Sequence, residues 1–169
     1  MKHLIKLIST PITQKHWVAD LLFGSIRFVC GMLLALEFGA SKFGMPWTPD
    51  SQNLNLFEVS SWFPEDVAEY GGMFAMAPLF FAWMGAFSEA VGGLFLAIGL
   101  QTRIASFLVM CTMLVAIFMQ KWGAGTWGML PAMGFLWVAI YNLYLGSGRF
   151  GIDFLIAKNS ITSKPTMAK

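Results

Sequence analysis

Glu89 stands in the stretch GAFSEAVGGLFLAIGLQTR, residues 85–103, a run otherwise built to dissolve in oil. A carboxylate there is costly unless it is neutralised, paired or wetted. Three more ionisable side chains, Arg27, Glu37 and Lys42, lie in the apolar run that ends near Phe43. Carboxylates in such places take up and release protons, and nearby cations set their charge state. An ionisable residue inside a span is a functional hypothesis by default. The competing reading is that intramembrane ion pairs fix helix register and act as glue between helices.

Depth narrows the pairings. With Asp20 at the cytoplasmic edge, Arg27 lies roughly 10 Å in and Glu37 roughly 25 Å in, while Glu89 sits roughly 18 Å above Arg103. Glu89 thus falls between the levels of Arg27 and Glu37. It is expected either to pair with Arg27 or to be a protonated acid sharing a site with Glu37. Lys42 and Glu37 are five apart and do not share a helix face. Lys42 is expected to answer a carboxylate of the following loop, such as Glu65 or Glu69.

The elements that hold these charges follow from composition. Of 169 residues, 57% are hydrophobic and 12% charged, with mean hydropathy +0.65. Soluble domains are nearer 45–50% apolar and about 25% charged, so the chain is an integral membrane protein. Four segments reach the ~20 apolar residues that a spanning helix needs: 18–43, 76–100, 104–122 and 126–146. The fold class is all-α, a polytopic four-transmembrane-helix bundle over 18–157. An interfacial amphipathic segment precedes it at 1–17, and a flexible cytoplasmic tail follows at 158–169. Lys2, Lys6 and Lys15, then Arg103, then Arg149, Lys158, Lys164 and Lys169 mark one side of the membrane. The 46–72 loop carries Asp50, Glu58, Glu65, Asp66 and Glu69 and no cation. By the positive-inside rule both termini are cytoplasmic and the loop is outside, with Trp47, Trp62, Trp122 and Trp127 at the outer interface. The first apolar run is too long for a signal-peptide core and contains Arg27 and Glu37, so its retention is expected.

Gly31, Ala35 and Gly39 repeat every four residues in the first span, as do Ala82, Ala86 and Ala90 in the second, which predicts close packing of the two. The 46–72 loop is read as a lid over the bundle mouth or as an interfacial spacer, with NLFEVSSWF as a short helix on the membrane surface. Pro78 and Pro131 fall in the first turns of their spans, where a missing N–H matters least. Cys30 and Cys111 form no CxxC and are read as packing residues; a disulfide between them requires Cα atoms within about 7 Å.

Function classes drop out by what is missing. No Lys/Arg cluster argues for nucleic acid, and no metal site is expected. HExxH, Walker A, GxGxxG and GxSxG motifs are absent. The two histidines, His3 and His16, are both N-terminal, which excludes a bis-histidine haem within one chain. Redox chemistry would need a diffusible carrier or a cofactor-holding partner.

Arg27 and Gly31, then Lys42-Phe43, then EAVGGLFLAIGLQTRIAS at 89–106, and finally GSGRFGID at 146–153 form an ordered layout. It resembles the DoxX family of small four-helix bacterial membrane proteins, related to the DoxD subunit of thiosulfate:quinone oxidoreductase. The resemblance spans about residues 20–157, and the glutamate-to-TR block is its most specific part. It implies a bacterial inner-membrane protein labelled as an oxidoreductase, with members tied to quinone-linked sulfur oxidation or thiol stress. It also implies roles for Arg27, Lys42, Glu89, Gly92, Gly93, Arg103 and Asp153. The 46–72 loop departs from the family by its length.

The resulting reading is a quinone-linked oxidoreductase subunit with no intrinsic cofactor, working with a redox partner protein in the lipid bilayer. Glu89, Arg27, Glu37 and Lys42 are its candidate catalytic residues, and Glu89, Gly92 and Gly93 its candidate cofactor contacts. Arg103, Arg149 and Asp153 are expected to form a cytoplasmic clasp in which Asp153 pairs with one of the arginines. The rival is a non-enzymatic binding or assembly subunit for a lipid, peptide or protein. A proton-coupled carrier is a third reading, without visible inverted repeats. Homo-oligomers are compatible with all three.

Overall fold

The computed structural model describes residues 11–162. In chain order the helices are α1 Trp17–Gly39, α2 Trp62–Glu69, α3 Gly72–Met76, α4 Pro78–Ile98, α5 Thr102–Gln120, α6 Trp122–Leu145 and α7 Ile152–Thr162. The longest four, α1, α4, α5 and α6, are long and apolar enough to cross a membrane. Both ends of the described chain meet at one end of the bundle. There the Ile12 N–H donates to the Leu145 carbonyl at 2.8 Å, and the Asp153 N–H to the Gly99 carbonyl at 2.9 Å. This is called the termini end below, and the opposite one the loop end.

Small residues decide how α1 and α4 cross. A Cβ on Gly31 would lie 2.6 Å from the Ala97 nitrogen and the Gly93 oxygen, and one on Gly39 only 2.5 Å from Ala90 Cα. The helices therefore touch backbone to backbone, as small-residue stripes permit in membranes. The stripe on α4 is Ala90, Gly93 and Ala97. Ala82 and Ala86, expected to face α1, instead pack with Phe43, Phe63 and Val67.

That register has a consequence. Gly39, the last residue of α1, meets Ala90, which lies well inside α4. The loop-end half of α4 is thus left without a first helix beside it. Residues 40–61 fill the space as irregular backbone that pairs with itself. The Gly44 N–H donates to the Glu58 carbonyl (2.8 Å), the Phe57 N–H to the Gly44 carbonyl (2.7 Å), and the Ser60 N–H to the Lys42 carbonyl (2.9 Å). Phe43 is fully buried and meets Trp83 and Phe87 edge to face. Non-helical backbone alongside a spanning helix requires this internal satisfaction, since lipid offers no partners. NLFEVSSWF is accordingly no helix: Val59 bridges Phe43, and α2 begins only at Trp62.

Three of the spans contain a wide, π-helical turn: Leu34–Gly39 in α1, Ser88–Gly92 in α4 and Ala116–Gln120 in α5. Such turns cluster at functional sites, and Glu89 lies in one of them. Pro78 opens α4 as expected, whereas Pro131 lies inside α6, where its ring cannot donate to the Trp127 carbonyl. Helix α7 carries order to Thr162, into the stretch expected to be a tail. The amphipathic N-terminal segment lies mostly outside the described residues, and residues 11–14 are non-helical.

Candidate functional site

Glu89 is 3% exposed, and its partner is Lys42: Nζ lies 2.6 Å from Oε2. Neither expected pairing of Glu89 forms. Arg27 is spent at the termini end, where Nη1 donates to the Ser147 carbonyl at 2.7 Å and Nη2 to the Phe150 carbonyl at 3.1 Å. Glu37 is exposed on the outside of α1 and does not join Glu89. Lys42 in turn answers Glu89 rather than Glu65 or Glu69. The reason is the register of α1 and α4. Because α1 ends at Ala90, the residues just past it, including Lys42, come level with Glu89 inside the bundle.

Further fixings hold Lys42. Its carbonyl accepts the Ser60 N–H, and its ammonium lies 5.0 Å above the Phe63 ring of α2, a cation–π contact. Next to Glu89 on α4, Ser88 Oγ lies 2.7 Å from Thr112 Oγ1 of α5. Thr112 donates its own proton to the Leu108 carbonyl, so Ser88 is the donor of that pair.

The ion pair forms one wall of a cavity of ≈ 240 Å³ enclosed by α2, α3, α4 and α5. Phe63, Val67, Tyr70, Phe74, Phe81, Met84 and Leu108 give it an aromatic and aliphatic lining, against which Lys42, Glu89, Ser88, Thr112 and, at the loop end of α5, Gln120 are the polar spots. Cys111, midway along α5, is exposed and lines the same cavity. This overturns its reading as a packing residue. Both cysteines are free. Tyr70 stands on the loop side of the cavity. Burial, reinforced by the negative charges of Asp66, Glu89 and Glu69, pushes its phenol up to about 12. Gly92 and Gly93 serve packing: Gly93 meets α1, and Gly92 faces Val109 of α5.

At the termini end the clasp has different partners from those expected. Asp153 pairs with neither arginine. Its carboxylate accepts the N–H groups of Gln101 (2.8 Å) and Thr102 (2.9 Å) and the Thr102 hydroxyl (2.9 Å). It thereby caps the orphan N–H groups that open α5, favoured there by the helix dipole. Gln101 has φ 47°, a turn conformation that aims its N–H at Asp153. Arg149 bridges Asp20 at 2.8 Å and donates to the Gln14 carbonyl at 2.8 Å, and Arg103 donates to the Tyr144 carbonyl at 3.1 Å. Asp20 is the member of this cluster that sequence reasoning used only as a depth marker. An acidic residue at the start of a spanning helix was its only signal.

Among the described residues no group of three or more His, Cys, Asp or Glu side chains is placed to hold a metal. A family model described as DoxX matches residues 51–122. No curated protein and no solved structure matches the chain. The matched stretch takes in α2 to α5, and with them Phe63, Tyr70, Glu89 and most of the cavity wall, while Lys42, which completes the ion pair, precedes it. Over residues 51–122 the chain is similar to the DoxX family.

Proposed function

We propose that this protein is the carrier-binding membrane subunit of a quinone-linked redox system, working with a partner protein in a bacterial inner membrane. The observation that carries this reading is the Lys42–Glu89 pair set in the wall of an apolar, aromatic-lined cavity. A lining dominated by aromatic and aliphatic side chains suits a molecule that partitions into lipid.

Size and chemistry agree with a ring-shaped head group. Pockets for whole drug-sized ligands run from about 300 Å³ upward; ≈ 240 Å³ holds a head and leaves a long tail outside. A quinone, when bound, supplies two-electron, two-proton redox chemistry. The Lys42 ammonium would donate a hydrogen bond to a ring oxygen, and Glu89 would hold or release the proton that follows charge onto that oxygen. Phe63 and Phe74 would line the ring's site and exclude water. Ser88, tied to Thr112, would keep the α4–α5 wall in place.

The test is a mass-spectrometric inventory of small molecules that copurify in mild detergent with the wild type, Glu89→Gln and Lys42→Met. A quinone held by the wild type and lost from both folded variants is the expected result. If one lipid or peptide follows all three proteins and no quinone follows any, the cavity serves assembly rather than redox chemistry.

A further inference from the structure

We propose that the Glu37 face of α1 docks a transmembrane helix of a different protein, one that presents a lysine or arginine at mid-membrane height. This extends the function proposed above, which calls for a partner protein, but it rests on the opposite side of the first span and not on the cavity.

Two independent registers set the height of Glu37. Its neighbour Gly39 abuts Ala90, inside α4, and its other neighbour Phe38 meets Phe135, halfway along α6, with ring centroids 5.3 Å apart. Glu37 is therefore level with the middle of the bundle, not with either end. Its side chain is exposed and stands among exposed Leu33, Leu36 and Phe38. A carboxylate in that position faces hydrocarbon. Intramembrane acids almost always face a bundle interior or pair with a cation.

Among the described residues no cation is placed to pair with it. At comparable heights the cations of the described residues are engaged: Arg27 on two carbonyls and Lys42 on Glu89. Lys15, Arg103, Arg149 and Lys158 lie at the termini end, and Lys121 lies at the loop end. A second copy of this chain meets the same shortage, since its Lys42 is buried in its own pair. Charge complementarity thus points to a heterologous helix whose basic residue is matched to Glu37.

The test uses the whole protein in lipid vesicles, labelled for energy transfer against two synthetic spanning helices. One is all leucine in its core, and the other carries a single central lysine. The lysine helix is expected to associate about 3- to 30-fold more tightly than the leucine helix, the factor one interhelical polar contact supplies in a bilayer. That preference should vanish in Glu37→Leu, and Glu37→Gln serves if the leucine variant fails to fold. Equal association of both helices with the wild type would overturn the proposal and leave Glu37 without a partner helix. Two other results would also overturn it. One is self-association of the protein that depends on Glu37, and the other is lysine preference that appears only after residues 1–10 are deleted. The readout is helix association, so it is independent of whether a quinone binds the cavity.

Discussion

The two ends of the bundle treat buried charge in opposite ways. At the termini end Asp20, Arg27 and Asp153 are 4%, 2% and 3% exposed, and backbone groups supply most of their partners. The pocket beside Asp20 and Arg27 is ≈ 10 Å³, room for about one water. Midway to the loop end, Lys42 and Glu89 hold each other in the wall of a cavity more than twenty times larger. Charges that serve as fasteners are wrapped in peptide carbonyls and N–H groups. The Lys42–Glu89 pair leaves part of its surroundings open. The burial of a charge does not separate the two cases; what fills the space around it does.

The sharpest way to break this contrast is at Asp153. Asp153→Ala removes the acceptor from three donors at the start of α5, and should cost about 4 kcal/mol by the penalties for unmet donors and charged hydrogen bonds. Unfolding titrations in detergent would measure it, and the folded fraction should keep whatever occupies the cavity. If it instead empties the cavity with little loss of stability, the fastener reading fails. Gly39→Ala tests the joint between the two regions. Its Cβ would push on Ala90 backbone, so overpacking should cost about 1–3 kcal/mol and part Lys42 from Glu89. Both a lower unfolding midpoint and weaker ligand retention are expected, whereas Gly134→Ala, which meets nothing within 4 Å, should change neither.

The smallest effect concerns Tyr70. Its folded value of about 12 lies above the ordinary 10.0, so the fold favours the neutral phenol. The stability linked to it is complete below pH ~10 and drains away as pH rises through 12. A tyrosinate absorbance titration should show one late-titrating phenol, absent in Tyr70→Phe. If wild type and variant give the same curve, Tyr70 is wetted and the cavity is more open on its loop side than described.

Much of this was legible in the sequence, and the reasons are physical. Span length and apolarity fixed the four helices to within a few residues, because bilayer thickness admits little else. The Gly31–Gly39 stripe announced a tight crossing. What failed was tertiary pairing. Depths counted along two helices assume that both begin at the same membrane plane, yet α1 stops level with Ala90. The whole pairing of Glu89 shifted from Arg27 to Lys42 on that account. Asp153 misled in another way. Opposite charges in one boundary layer suggest a salt bridge, but the open N–H groups of Gln101 and Thr102 were better placed to receive it. The cavity itself had no signature, because its wall is made by α2 and α3, whose apolar residues read as interfacial filler.

The wide turn at Ser88–Gly92 sets the phase of α4. Such a turn amounts to one residue inserted into a regular helix, so everything on its loop side is rotated by about 100° from where an uninterrupted helix would place it. Delete a single residue there, and length, charge and hydropathy hardly change. Yet Ala82 and Ala86 would swing away from Phe43 and Phe63, and the wall of the cavity would face lipid. Two such chains would look alike to any reading of composition and differ in whether they can hold a guest at all.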